Sequence, residues 1–153
     1  YYLERILYAA NLRFSEMSAG QFELRMYDLD KAGEGKNKGL DLMVYSSVTG
    51  KEREVRTLSG GESFMAALSL ALGMADQIQE SASAINLDIM FIDEGFGSLD
   101  ENALRQAMGL LAKLAGGKRM IGVISHVAEL KERIDQKIIV KKSMTGSEIK
   151  IES

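Results

Sequence analysis

The chain contains no cysteine and no proline, and it has a single histidine among its 153 residues. Without cysteine it can form no disulfide and no thiolate metal site, which fits a reducing compartment. No apolar run is long enough to cross a bilayer, and no signal peptide is visible. The formal net charge of -3 gives no overall attraction to nucleic acid, so any DNA contact would be local or made by other polypeptide.

What is present is the composition of an ordinary globular domain. Hydrophobic residues make up 46% of the chain and charged residues 27%, and a chain of this length can bury a proper core. It begins at Tyr1 without an initiator methionine and already in helical periodicity, so we expect a fragment of a longer protein. Residues 1–18 are predicted to form an amphipathic helix. That helix is either docked on its own domain or the returning end of a coiled coil, and two heptads do not decide between these alternatives.

Alternating apolar and polar residues predict antiparallel strands at 22–27, 40–45 and 52–57, the last following a turn at Thr49-Gly50. The glycine-rich stretch 31–39 between the first two strands is not a phosphate loop. It lacks the Gly-Lys-Ser/Thr ending, and no helix follows it. A solvated hairpin connection is the favoured interpretation. The alternative is a contact with the DNA backbone through Lys31, Lys36 and Lys38.

From Glu62 onward the pattern changes to an alternation of helices and strands. Helices are predicted at about 62–79, 100–115 and 127–133, and strands at about 87–93, 119–124 and 136–141. Such an alternation implies parallel strands joined by crossover helices. The predicted fold class is therefore α/β, a parallel sheet with flanking helices that is preceded by an antiparallel strand region.

The stretch Ile89-Met90-Phe91-Ile92-Asp93-Glu94 is the most informative part of the chain. Four apolar residues predict a strand buried on both faces, and they run directly into two carboxylates. Ligands of open α/β sheets bind at the carboxyl ends of the strands, so the paired acids indicate a metal-bound phosphate ligand. Asp93 is the candidate for holding Mg²⁺ through its water shell, and Glu94 is the candidate for orienting and deprotonating the attacking water.

A second motif, Ser59-Gly60-Gly61-Glu62, leads directly into an apolar helix. Helix capping alone explains Ser59 and Glu62, since Ser caps helices and Glu suits the first turn. Capping does not explain two successive glycines, which let backbone N–H groups approach an anion closely. The motif is therefore either a plain cap or an anion site at a helix N-terminus.

Two further features follow the strands. Ser98 and Glu101 have the spacing of a capping box, and Asp100 beside them is consistent with a local charge–dipole contact. The only histidine, His126, follows the second apolar strand and is expected beside Asp93 and Glu94. There it would donate to a γ-phosphate or hold the water-activating carboxylate in place.

These motifs occur in the order seen in ABC-type ATPases. Residues 58–62 resemble the signature motif, 89–94 Walker B, 98–100 the D-loop and His126 the switch histidine. The stretch 91–100 is most similar to SbcC and related SMC-like DNA-repair ATPases, because Gly95 stands where ABC transporters usually have proline. The resemblance implies the C-terminal lobe of a P-loop ATPase head over residues 19–153, with 1–18 at the base of a coiled coil.

The resemblance also implies roles for the site residues. Asp93, Glu94 and His126 would act on ATP and Mg²⁺ held by their own head. Ser59, Gly60 and Gly61 would reach the phosphate of a second head, toward which the helix starting at Glu62 would point. Asp100 would lie at the dimer seam.

The implied partners lie outside this sequence. No Walker A loop is present, so an N-terminal Walker A lobe of the same protein and a second head would complete the site, and the chain alone is expected to be inactive. The resemblance also implies an SbcD-like nuclease subunit and double-stranded DNA as partners. It implies no membrane partner, and a bacterial cytoplasm as the location. The alternatives are an ATPase subunit of an ABC transporter and a non-catalytic module whose motifs serve only head–head association.

Overall fold

The computed structural model describes residues 2–26, 42–81, 87–117 and 119–153. The whole glycine-rich stretch 31–39 with its three lysines, and residues 82–86, lie outside these ranges. The helices and strands are α1 (Tyr2–Met17), β1 (Phe22–Met26), β2 (Leu42–Ser46), β3 (Lys51–Glu54), α2 (Gly60–Ser81), β4 (Ile89–Asp93), α3 (Glu101–Ala115), β5 (Met120–Ile124), α4 (Ala128–Arg133), β6 (Lys137–Ser143) and β7 (Gly146–Glu152).

The strands form an antiparallel sheet, a parallel pair and a hairpin. Strands β1, β2 and β3 pair in that order, each antiparallel to the next. Strands β4 and β5 pair in parallel, with Asp93 opposite Ile124 at their carboxyl ends, and α3 connects them. The predicted α/β architecture with a preceding antiparallel region is confirmed. Helix α3 supplies the crossover connection that a parallel pair of strands requires.

The core lies between the first two helices, the antiparallel sheet and α3. Helix α1 buries one apolar stripe, as expected for an amphipathic helix docked on its own domain. The helices α1 and α2 approach so closely that a Cβ on Gly73 would lie 2.7 Å from the carbonyl oxygen of Ile6. The largest side chains that are fully buried in this core are Phe14, Phe96, Met17, Leu24, Leu72 and Val44.

Three predictions about secondary structure are wrong in detail. The third strand ends at Glu54, since Val55–Thr57 is a single 3₁₀ turn that leads into the Ser59 motif. Helix α2 begins at Gly60, two residues earlier than predicted. The last predicted strand is not part of a parallel arrangement; β6 pairs antiparallel with β7, a strand that the helix–strand alternation does not predict.

Strand β4 is not buried on both faces. Side chains alternate across a strand, and Phe91 and Ile89 on the outward face are 72% and 58% exposed, whereas Ile92 is buried. The ring of Phe91 lies over Gly122 of β5, where a Cβ would come within 2.6 Å of it. Together with Met120 and Ile124 these side chains form an exposed apolar face on β4 and β5. No helix within the described ranges is both long and apolar enough to cross a membrane.

Candidate functional site

The two carboxylates lie at the open end of the parallel strand pair. Asp93 is the last residue of β4, and the ladder continues one residue further because the Glu94 N–H donates to the carbonyl of Ile124 over 2.8 Å. Both residues are exposed. The sheet therefore presents two adjacent carboxylates at the edge where ligands of α/β sheets bind.

His126 meets Glu94 at this edge. Its Nδ1 lies 3.2 Å from Oε1 and 3.1 Å from Oε2 of Glu94, while the imidazole is 83% exposed and the carboxylate 48% exposed. The predicted proximity of His126 to Glu94 is confirmed. Ser125 shapes the turn before α4, because its hydroxyl accepts a hydrogen bond from the Val127 N–H at 3.1 Å.

The backbone at Glu94 is unusual. Glu94 has a φ of 60° and Gly95 a φ of 99°, so two successive residues are left-handed. A residue other than glycine is strained in this conformation and keeps it only where its surroundings require it. The turn then enters a short 3₁₀ helix in which Phe96 is 1% exposed, so the loop after the carboxylates is tight and apolar.

The Ser59 motif forms a complete capping box. The Glu62 N–H donates to the Ser59 hydroxyl at 3.3 Å, and the Ser59 N–H donates to the Glu62 carboxylate at 2.9 Å. Arg53 donates to the same carboxylate oxygen at 2.8 Å. Burial alone would raise the pKa of Glu62, but the hydrogen bonds from Ser59 and Arg53 outweigh it, and the pKa lies below its usual value.

The two glycines of this motif have a packing role within the chain. A Cβ on Gly61 would lie 2.7 Å from the Ser98 carbonyl oxygen, and one on Gly60 would lie 3.3 Å from the Ser98 Cβ. The start of α2 is therefore seated on the loop that follows Glu94. Close approach to an anion is not needed to explain Gly61, so the anion-site interpretation must rest on other observations. Ser59 and Gly60 remain exposed.

Asp100 is the N-cap of α3, since its carboxylate accepts a hydrogen bond from the Ala103 N–H at 2.8 Å. The capping box expected between Ser98 and Glu101 is wrong. The Ser98 hydroxyl donates to the Gly95 carbonyl, and Glu101 pairs with Arg105 one turn further along α3. The local contact expected for Asp100 at the helix start is thus confirmed.

The carboxylates at the strand ends do not form a metal cage by themselves. Among the described residues no cluster of three or more histidine, aspartate or glutamate side chains is present. Mg²⁺ is commonly held by one or two carboxylates together with substrate phosphates and water, so the exposed oxygens of Asp93 fit a metal that arrives with a phosphate ligand.

The sequence did not point to Arg53 and Phe64 as residues of the site, nor to the packing role of Ser98. Arg53 neutralises Glu62, Ser98 supports the start of α2, and Phe64 packs against Gly95. A contact between residues far apart in the chain leaves no periodic pattern in the sequence. The one available signal is a glycine next to a bulky residue in the sequence, which hints at close packing.

Comparisons with known proteins point to one family. Residues 39–113 match the family model described as SbcC/RAD50-like, Walker B motif. The SbcC subunit of the SbcCD nuclease of Treponema pallidum (strain Nichols) is 50% identical over 148 residues, which is 97% of this chain and 14% of the relative. The chain thus spans about one seventh of the length of that curated relative.

Solved structures show the same fold at low sequence identity. A chain from work on ATP-driven dimerization and DNA-stimulated activation of SMC ATPases has a TM-score of 0.72 at 19% identity, and the match covers 98% of this chain and 84% of that one. The Smc head domain with an extended coiled coil from Pyrococcus furiosus, bound to the C-terminal domain of ScpA, has a TM-score of 0.70 at 20% identity. That match covers 99% of this chain and 35% of the head structure.

The fold is therefore that of an SMC-type ATPase head. Within this class the chain belongs to the SbcC family, and it corresponds to the C-terminal lobe of the head.

Proposed function

We propose that the chain is the C-terminal lobe of an ATP-hydrolysing head that works with an SbcD-like nuclease subunit on double-stranded DNA ends. The observation that carries this proposal is the contact of Glu94 with His126, beside Asp93, at the carboxyl edge of β4 and β5. The named relative is a nuclease subunit, which favours DNA processing over membrane transport. A bacterial cytoplasm is the corresponding location.

The carboxyl edge would act on the nucleotide of its own head. Asp93 would hold Mg²⁺, which neutralises phosphate charge when bound. Glu94 would orient the attacking water and accept its proton, an effect typically worth ~10²–10⁴ in rate. His126, which contacts the Glu94 carboxylate, would keep that carboxylate in place and would also present its ring to a γ-phosphate.

The Ser59 motif would contact the phosphate bound by a second head. The Ser59 hydroxyl accepts a hydrogen bond in the capping box, and its own proton stays available for a phosphate oxygen. Gly60 and Gly61 are the first residues of α2, so their N–H groups have no intrahelical acceptor. The positive end of the α2 dipole, whose first turn contains Glu62, would add to the attraction. Asp100, exposed at the start of α3, would lie at the seam between the heads.

Two exposed surfaces support completion by other polypeptide. The apolar face of β4 and β5 is suited to covering by an N-terminal Walker A lobe, since large apolar patches seldom stay open to water. On α1, Tyr8 and Leu12 are 71% and 60% exposed one turn apart, which suits a second helix packing alongside in a coiled coil.

The test is Glu94→Gln in the complete protein. We expect ATP binding and ATP-driven head dimerisation to persist, while turnover falls by ~10²–10⁴. Glu132→Gln, which changes an exposed carboxylate on α4 in the same way, is the matched control and should leave turnover unchanged. Normal turnover in Glu94→Gln would remove the proposed base. The 153-residue chain alone should have negligible ATPase activity, and robust contaminant-free turnover by it would contradict the shared site.

A further inference from the structure

One aromatic side chain connects the Ser59 motif to the Glu94 turn. Phe64 lies in α2, five residues after the cap, and its ring is in contact with the backbone of Gly95. A Cβ on Gly95 would lie only 2.2 Å and 2.3 Å from the Cδ2 and Cε2 atoms of Phe64. The ring also packs edge-on against Phe96, with 4.9 Å between the ring centroids and 61° between the planes.

The turn is contacted by both the sheet and helix α2. On the sheet side, the Glu94 N–H is held by the carbonyl of Ile124. From α2, the Phe64 ring packs directly against the backbone of Gly95, the second residue of the turn. Left-handed residues such as Glu94 persist only where packing leaves them no alternative, and Phe64 is the side chain that packs against this turn from α2.

We propose that Phe64 is a positioning residue for Glu94: it holds the left-handed turn so that the carboxylate faces His126. The inference rests on the proposed function, because positioning matters only if Glu94 acts on water. Since α2 is a continuous helix from Gly60, a shift of the Ser59 motif would move this ring against the turn as well. Hydrolysis at the carboxyl edge would then depend on how the start of α2 is seated.

The experiment compares steady-state ATP hydrolysis by the complete protein and its Phe64→Leu and Phe14→Leu variants. A misplacement of about 1 Å can cost ~10²-fold in rate, so we expect Phe64→Leu to lower kcat at least about tenfold. We expect KM to stay within about twofold and ATP-driven dimerisation to persist, because no binding group is removed.

The Phe14→Leu variant is the control for lost stability alone. Phe14 is fully buried in the core and stacks on Phe22, with 5.9 Å between the centroids. Its replacement should lower Tm at least as much as Phe64→Leu and leave kcat unchanged. Equal kcat in the wild type and Phe64→Leu would overturn the positioning role. If Glu94→Gln were also fully active, the proposed function itself would have failed, so the two failures are distinguishable.

A double-mutant cycle tests the contact without any activity assay. Gly95→Ala should lower Tm strongly in the wild type, because the added methyl collides with the Phe64 ring. In a Phe64→Ala background the collision is gone and only the cost of the positive φ remains, so the Tm loss should be clearly smaller. Equal losses in the two backgrounds would show that the ring does not hold the turn.

Discussion

The Ser59 motif and the carboxyl edge are built from similar residues but differ in how far the chain itself completes them. At the Ser59 motif, Glu62 is shared by Ser59 and Arg53, and the glycines pack on Ser98. At the carboxyl edge, Glu94 and His126 have each other and are otherwise largely open to water. The difference shows that the polar groups of the Ser59 motif are largely satisfied by the fold itself, whereas Glu94 and His126 leave hydrogen-bonding capacity open to water.

The largest effect on stability is expected where the two regions touch. Gly61→Ala would place a methyl group 2.7 Å from the Ser98 carbonyl oxygen, which is backbone and cannot move aside cheaply. We expect a loss of about 1–3 kcal/mol in the free energy of unfolding, as for other overpacked sites. Urea unfolding of the 153-residue chain measures it.

Gly109→Ala is the matched control. Gly109 lies inside α3 with nothing within 4 Å of the position of a Cβ, so the same change should stabilise the chain by about 0.5–1 kcal/mol. Opposite signs for the changes in the free energy of unfolding would show that Gly61 is required for packing and not for its place in a helix. A neutral Gly61→Ala would show that the Ser59 motif is not seated on the Ser98 loop.

A smaller effect separates the cap from the open edge. Ser59→Ala removes the acceptor of the Glu62 N–H and should cost about 0.5–2 kcal/mol of stability. His126→Ala removes an imidazole that is 83% exposed, so its effect on stability should stay within about 0.5 kcal/mol.

In the complete protein we expect His126→Ala to affect activity and not stability: it should lower ATP turnover while leaving Tm nearly unchanged. Parallel thermal unfolding and ATPase assays make the comparison. A large loss of stability in His126→Ala would mean that the carboxyl edge is also part of the folding core.

The smallest effect is a pH dependence at the capping box. The pKa of Glu62 is lower in the folded chain than its usual value, so the charged carboxylate stabilises the fold above the usual pKa of 4.5. This stabilisation is lost as the pH falls through the lowered pKa of the folded state. Glu62→Gln keeps a capping-box side chain but cannot titrate.

The stability difference between the wild type and Glu62→Gln should therefore be constant from about pH 7 to pH 5 and shrink at lower pH. Urea unfolding across this range measures the difference. A difference that stays constant down to about pH 3 would mean that the charge of Glu62 contributes nothing to the cap.

Local patterns predict the parallel pair β4–β5 and the meeting of Glu94 with His126, because hydrophobic runs and strand ends are short-range signals. The exposure of Phe91 could not be predicted in the same way, since an apolar run does not say whether this chain supplies both covering layers. The contact of Gly61 with Ser98 joins residues far apart in sequence, so no local pattern predicts it. From the sequence alone the two glycines therefore indicate an anion site, whereas in the structure packing is sufficient to explain Gly61.

The hairpin of β6 and β7 illustrates the same limit. Its first strand is recognisable from the sequence, but pairing direction depends on the tight turn between Ser143 and Gly146, and the helix–strand rhythm before it favours a parallel arrangement. Periodicity identifies elements more securely than it identifies their neighbours.

The left-handed backbone of Glu94 implies a trade-off at this position between the stability of the fold and the proposed role of the carboxylate. Glycine would adopt a φ of 60° without strain, so a chain selected only for a durable fold would have no reason to keep glutamate there. On the proposed role of Glu94, a glycine at this position would stabilise the fold and abolish ATP hydrolysis, so a screen for thermal resistance would enrich inactive variants.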